Sequence, residues 1–296
     1  AQHLLGSSLG SGTAADARRG RVSFWSGKHA LPIISESPVA SCRLGKVVVD
    51  VFSDNSRALR FADDPHFQMS RIACRAQPPQ PSLETPRREP SCSAVMWPCD
   101  VDMSRTLKIQ WEFSGRMLDE LFSIRRRSPA PRLRALIVGL GGGTMPSALA
   151  AQGGWDVDTV ELSPEVAEAA EHAMGFAPGK HQRVTTGDAA VVLQDWARRV
   201  PRSYDVIVHD AAGDACGGDE WLRDGALRSV AALLKPGGAF IANLSNDCPT
   251  NSEQVEEQTA LWRSLFGQDI HVLFDRAGFG GNRVLAAAAP VGATFL

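Results

Sequence analysis

The apolar positions of this chain change their period more than once. Around residue 50 they fall in two short blocks. KVVVDVF (46–52) is rich in β-branched residues, SDNS (53–56) is a turn cluster, and RALRF (57–61) resumes the apolar pattern. That order predicts a β-hairpin. In TLKIQWEFSGRMLDELFSI (106–124) the apolar positions are Leu107, Ile109, Trp111, Phe113, Met117, Leu118, Leu121 and Phe122. The second half of this stretch takes helical spacing, which predicts a helix leading into the main domain.

From Leu133 onward, strand-like and helix-like runs alternate. LRALIVG (133–139), VDTVE (157–161), RVTTGDA (183–189), YDVIVHDA (204–211) and AFIANL (239–244) read as strands with their exits. DIHVLF (269–274) and NRVLAAAA (282–289) close the series. Between them MPSALAAQ (145–152), SPEVAEAAEHAMG (163–175), VVLQDWARRV (191–200) and EWLRDGALRSVAALL (220–234) read as helices, and KPGG (235–238) as a turn. Ser163 followed by Pro164 and Glu165 has the chemistry of a helix start. Alternation of this kind predicts an α/β fold, with a mostly parallel sheet and helices on both faces.

Two stretches break the pattern. QPPQPSLETPRREPS (77–91) holds five prolines and few apolar groups, and reads as a flexible insertion. Residues 1–30 read as a disordered segment. Rich in Ser, Gly and Arg, with Asp16 as the one acid, they resemble the remainder of an organelle transit peptide or the cut end of a longer chain. The expected organisation is a disordered segment 1–30, a small β unit with a linking helix over 31–125, and a nucleoside-binding catalytic domain over 126–296.

Composition narrows the function classes. With 296 residues, 44% hydrophobic and 22% charged, the chain has the make-up of a water-soluble globular protein. Chloroplast, mitochondrion and cytoplasm all stay open as its compartment. A net charge of −2 with no strongly basic region does not favour nucleic acid as a partner. No apolar run reaches the roughly 20 residues that span a bilayer, so no membrane role is expected. The six cysteines (42, 74, 92, 99, 216 and 248) form no Cys-x-x-Cys pair, and in a chain of this size they read as reduced thiols. Cys92 and Cys99 fit no common zinc spacing, and no metal is expected.

The chemistry concentrates in one place. Gly139, Gly141, Gly142 and Gly143 follow the first strand of the alternating region. Lacking Cβ atoms, they let backbone approach a ligand and adopt positive φ. The next helix would aim its free N–H groups there. Glu161 ends the second strand, where a carboxylate can accept hydrogen bonds from both hydroxyls of a ribose. Thr144 stands in the sixth position of the Gly-x-Gly-x-x-Gly dinucleotide pattern, so that pattern is only partly met. Asp188, followed by Ala189, could accept from an adenine amino group or simply cap the next helix.

Taken in order, LIVGLGGGT, DTVELSPEVAEAA, MGF, TTGDA, YDVIVHDAAGDA and LLKPGGAFIANL resemble the class I S-adenosylmethionine-dependent methyltransferase fold, and within it the spermidine synthase-like branch. The resemblance covers about 133–289, and the hairpin 46–61 is similar to that branch's small N-terminal β unit. It implies a Rossmann-like seven-stranded sheet. It places S-adenosylmethionine, or its decarboxylated form, on Gly139, Gly141, Gly142 and Gly143, with Glu161 on the ribose and Asp188 and Ala189 at the adenine. Asp210 would face the reacting centre as the catalytic residue, with Asp214 in the acceptor loop. The implied partner is a small-molecule acceptor, an amine among the candidates, and a homodimer is a candidate assembly.

The chain departs from aminopropyltransferases at three points. Gly142 stands where those enzymes carry an acid, Asp210 and Asp214 are four apart rather than three, and Tyr204 is the one tyrosine. A polyamine pocket without those acids and phenols loses its charge pairing. The expected function is therefore alkyl transfer, of methyl or aminopropyl, from the adenosyl cofactor. A polyamine-making aminopropyltransferase and a non-catalytic nucleoside- or NAD-binding protein are the alternatives. His209 is set aside as a catalytic group, because strand alternation turns it from the face of Asp210.

Overall fold

In the computed structural model the described residues are 38–63, 68–75, 99–110, 112–211, 224–245, 260–267, 269–275 and 282–290. The expected segments 1–30 and 77–91, and the acceptor-loop residue Asp214, lie outside them. The β-rich start forms a four-stranded antiparallel sheet in the order β1 (Ala40–Leu44), β2 (Val47–Val51), β3 (Ser56–Phe61), β4 (Gln68–Ala73). The expected hairpin is its centre, β2 against β3. β1 and β4 escape a pattern reading because their apolar and polar residues are mixed.

The helix expected over 106–124 divides in two. α1 (Met103–Lys108) starts on Asp102, whose carboxylate accepts the Arg105 N–H, and α2 (Glu112–Arg127) follows after a break at Ile109. The second sheet has seven strands: β5 (Leu133–Val138), β6 (Trp155–Glu161), β7 (Gln182–Thr186), β8 (Tyr204–His209), β9 (Leu234–Ser245), β10 (Ile270–Asp275) and β11 (Asn282–Ala288). Their order is β10-β11-β9-β8-β5-β6-β7, and β11 runs antiparallel to both of its neighbours. α3 (Thr144–Gln152), α4 (Pro164–His172), α5 (Ala189–Arg199) and α6 (Asp224–Leu233) connect the strands, and residues 260–266 are helical.

Period-two alternation along β5 splits the core between two faces. Ala135 and Ile137 pack with Met117 and Leu121 of α2 and Leu149 of α3. Leu136 and Val138 pack with Leu193 of α5, Leu227 and Val230 of α6, and Trp262. Each helix buries an apolar face against the sheet, and burial of each such side chain contributes about 1.5–3 kcal/mol. Among the described residues no helix is long and apolar enough to cross a membrane.

Two expectations need correction. The KPGG segment (235–238) is part of β9 rather than a turn before it. Tyr204 pairs with Leu234, the register then shifts, and Gly237 at φ 75° donates its N–H to the Ala289 carbonyl at 3.0 Å. Turn residues can stay in a ladder when an irregularity absorbs them. The cysteines are not all reduced. Cys74 and Cys99 form a disulfide, and Cys42 is disulfide-bonded as well. A bridge between Cys74 and Val101 brings the Cys74 and Cys99 Cα atoms to 5.4 Å, within disulfide reach. At a sequence separation of 25, no local motif announces the pair.

The small sheet rests on α4. Cys42, Val47, Val49, Leu59 and Ile72 share a cluster with Val166, Ala169 and Met174, and the Arg57 guanidinium donates to the Ala173 carbonyl at 2.5 Å. The large sheet is pinned internally by Asp158 of β6. Its carboxylate accepts from Arg183 at 2.7 Å, Arg134 at 2.8 Å and the Tyr204 hydroxyl at 3.0 Å. Burial by itself would raise the Asp158 pKa, but these donors hold it below the usual carboxylate range.

Removing one partner of a buried pair typically costs about 3–5 kcal/mol. Arg183 and Arg134 are 58% and 34% exposed, so water screens part of that. We expect Asp158→Ala to lower stability by about 2–3 kcal/mol in urea unfolding near neutral pH. A depressed folded pKa contributes stability above the unfolded value, about pH 4, that is lost as pH falls through the folded value. The gap between wild type and variant should therefore narrow in acid; a gap that stays constant would show that the Asp158 charge is not its source.

Candidate active site

In an open α/β sheet the ligand crevice lies beyond the C-terminal strand ends, where the strand order reverses. Here β5 connects outward to β6 and β7 on one side, while β8 and β9 lie on the other. The reversal falls between β5 and β8. The first is followed by the glycine turn, and the second by Asp210.

Backbone hydrogen bonds fix that junction. Gly139 N–H donates to the Val160 carbonyl and Asp210 N–H to the Val138 carbonyl, each at 2.9 Å. Gly139 has φ 93°, and a Cβ there would run into the Asp210 carbonyl. A Cβ on Gly143, at φ 73°, would lie 2.6 Å from Phe176 Cβ. One on Gly141 would lie 2.8 Å from Ser70 Oγ, and one on Gly142 2.9 Å from Ser70 Cβ. The turn is bare because protein already surrounds it. Its glycines are required by the fold before any ligand is considered.

Glu161 ends β6 and is buried. One carboxylate oxygen accepts the Leu140 N–H at 2.8 Å, and the other accepts the Ser163 N–H at 2.9 Å. The carboxylate thus ties the glycine turn to the start of α4. A carboxylate has about four acceptor sites, so it keeps capacity for two more donors. Its main-chain carbonyl accepts Gly187 N–H at 2.8 Å, which draws the Gly-Asp-Ala segment to the same edge.

Asp188 caps α5, with the Ala190 N–H donating to Oδ1 at 2.8 Å, and it is exposed. The capping alternative is therefore realised, through one of the two carboxylate oxygens. Ala189 is the first residue of α5 and is half-buried against the core. Leu162, directly after Glu161, is 72% exposed, and Val191 in the first turn of α5 is 65% exposed. Two exposed apolar side chains thus follow the ends of β6 and β7.

Asp210 is half-buried, and burial pushes its pKa up to about 6 against the opposing hydrogen bond that Asn243 Nδ2 donates to Oδ1 at 3.0 Å. His209 is enclosed, with Nδ1 3.2 Å from the Asn243 carbonyl, and burial lowers its pKa to about 4. It is a neutral core residue near pH 7, as the strand alternation implied.

The structure brings the glycine turn, Glu161 and the backbone of Asp210 together around one junction, with Asp188 and Ala189 along the same strand ends. Sequence reasoning missed Ser70, Leu162, Val191 and Asn243. Asn243 lies two strand positions after Ile241 in AFIANL, and its polarity within that run was the one available signal. Ser70 gave none, because it reaches the turn from the other sheet.

No family model matches the chain. Over 159 residues it is 33% identical to a polyamine aminopropyltransferase of Vibrio vulnificus, covering 53% of this chain and 50% of that protein. Over 119 residues it is 30% identical to the eEF1A lysine and N-terminal methyltransferase of Mus musculus, covering 38% of this chain and 17% of that protein. The chain thus spans half or less of the length of these curated relatives. A solved structure of a probable spermidine synthase from Corynebacterium glutamicum matches with a TM-score of 0.58 at 18% identity, over 85% of this chain and 81% of that one. That likeness is one of fold.

Two outcomes follow from the junction. Gly139→Ala should cost more stability than Gly153→Ala. Both glycines have positive φ, which strains any other residue by about 1–3 kcal/mol, but a Cβ on Gly153 meets nothing within 4 Å. Equal melting temperatures for the two variants would show that the Asp210 backbone yields. A carbon-detected NMR titration should place the Asp210 midpoint near 6, and Asn243→Ala should move it higher because the hydrogen bond favouring the anion is gone. A midpoint in the usual carboxylate range would contradict the buried environment described.

Proposed function

We propose that this chain, which has the spermidine synthase-like form of the class I S-adenosylmethionine-dependent methyltransferase fold, binds an adenosyl sulfonium and passes one of its alkyl groups to a small acceptor. The observation that carries the reading is Glu161. It is a buried carboxylate at the end of β6, already holding the glycine turn, with acceptor capacity left for two ribose hydroxyls. Leu162 and Val191 offer apolar cover for a base, and the outer oxygen of Asp188 offers an acceptor for its amino group. An NAD-type dinucleotide would use the same acid, but the turn lacks the sixth-position glycine.

When bound, the cofactor would supply a carbon made electrophilic by positive sulfur, open to an acceptor's lone pair with the sulfur as leaving group. The chain's part is mainly positioning. Asp210, beyond β8 and across the turn from Glu161, orients the acceptor and takes its proton. With a pKa of about 6 it is ionised near pH 7 yet closer to that pH than an ordinary aspartate. Asn243 holds one of its oxygens in place. Aminopropyl transfer to an amine is the second reading, favoured by the 33% identity to a polyamine aminopropyltransferase.

Titration calorimetry with S-adenosylhomocysteine tests the assignment. Glu161→Gln should weaken binding by roughly 1.5–3 kcal/mol, the scale of hydrogen bonds to a charged group. An unchanged dissociation constant would remove Glu161 from the site. Asp210→Asn should leave that constant within about twofold and abolish turnover on an acceptor that wild type uses, since the amide cannot take a proton. Normal turnover would place proton removal elsewhere.

A further inference from the structure

His209 is the buried titratable group that the proposed transfer leaves without a task. It ends β8 and is enclosed, with Val138 of β5 and Ala242 of β9 as its ladder neighbours, both apolar and buried. An apolar side chain would pack into such a layer at lower desolvation cost. What the imidazole adds is a bond. Its Nδ1 lies 3.2 Å from the Asn243 carbonyl, which can only accept, so Nδ1 carries the proton. Resting on the reading of Asp210 given above, we infer that His209 is a positioning residue: it holds Asn243 in the place from which the Asn243 amide aims the Asp210 carboxylate at an acceptor.

The strand register explains the need for a brace there. The β8–β9 ladder runs as far as His209 opposite Ala242. Asn243 lies one residue past that last pair. On its other side it is paired with Val284 of β11. On the β8 side the His209 imidazole provides a link where the ladder has stopped. The Asn243 amide then donates to Asp210 Oδ1 at 3.0 Å. Since a peptide bond joins His209 to Asp210, the three residues close a ring: imidazole to carbonyl, amide to carboxylate, and main chain back to the start. The Asp210 main chain is itself fixed, by its N–H on the Val138 carbonyl at 2.9 Å and by its carbonyl against Gly139. The aim of the carboxylate therefore depends on Asn243, and the place of Asn243 on His209.

The influence is one of position rather than charge. Burial lowers the His209 pKa to about 4, so the ring is neutral throughout the range in which Asp210 takes up a proton. Burial and Asn243 set both pKa values, and among the described residues no charged side chain is a cause of either. The Asn243 amide favours the Asp210 anion, so a displaced amide lets the Asp210 pKa rise further.

Carbon-detected NMR on the full chain reads the consequence as the Asp210 midpoint. His209→Phe keeps a buried ring but removes the N–H. It should move the midpoint upward by about half a pH unit or more, the scale of one lost hydrogen bond to the anion. His209→Asn, whose amide N–H can reach the place of Nδ1–H, should return it toward the wild-type value. In an Asn243→Ala background His209→Phe should add nothing, because the amide through which it acts is gone. A Phe variant with the wild-type midpoint overturns the inference, and so does a Phe shift that survives undiminished without Asn243. Should the Phe variant fail to fold, nitrogen NMR of the wild-type ring decides. A neutral Nδ1–H tautomer is expected between about pH 5 and 8; an Nε2–H tautomer overturns the inference, since Nδ1 would then have no proton to donate. Calorimetry with S-adenosylhomocysteine separates this from the adenosyl reading. His209→Phe should bind it within about twofold of wild type, because Glu161 and the glycine turn are untouched. A loss of about tenfold or more would show that His209 supports the whole junction rather than Asp210. Absence of binding by wild type would remove the adenosyl reading, while the midpoints would still decide the role of His209.

Discussion

The site is organised by a contact that admits no side chain. The Asp210 carbonyl lies against the Cα of Gly139, so closely that a Cβ would collide with it. This packs the end of β8 onto the turn that leaves β5. Because β5 and β8 are neighbours at the place where the strand order reverses, the same contact sets the spacing between the two acids of the site. Glu161 stands on the β6 side of the turn, and Asp210 on the β8 side.

Structure and chemistry share these two acids unequally. Glu161 is committed first to the fold, since both oxygens already accept backbone N–H groups. Under the proposed function it would meet a ligand with little left to reorganise. Asp210 is held by one amide, and burial raises its pKa. The chain's single tyrosine serves neither, because it is buried in the cluster around Asp158. No phenol therefore lines the site, and carboxylates are sparse there among the described residues.

The small sheet is more than an appendage. It packs on α4 through an apolar cluster, it sends Arg57 to the end of that helix, and it presses Ser70 against the glycine turn. A disulfide joins the end of β4 to Cys99, just ahead of α1. The turn is thus enclosed by elements from both sheets.

Much of this was written in local pattern. Alternation of strand and helix periods gave the large sheet, because parallel strands buried on both faces must be apolar throughout. The glycine run and Glu161 were visible as residue types at the ends of adjacent strands, and Ser163 and Pro164 marked the α4 start through capping. What stayed hidden depends on which atoms meet across the chain. Ser70 touches Gly142 from 72 residues away. The Cys74–Cys99 bond waits on a bridge between β4 and a later segment. The KPGG residues join β9 only because β8 and β11 hold them there. Periodicity and residue type act within a few positions, so the sequence determined the elements and the acid beside the glycines. Steric exclusion, burial and cross-sheet hydrogen bonds act through space, so only the tertiary structure decided that the glycines are closed in by protein and that burial pushes the Asp210 pKa up.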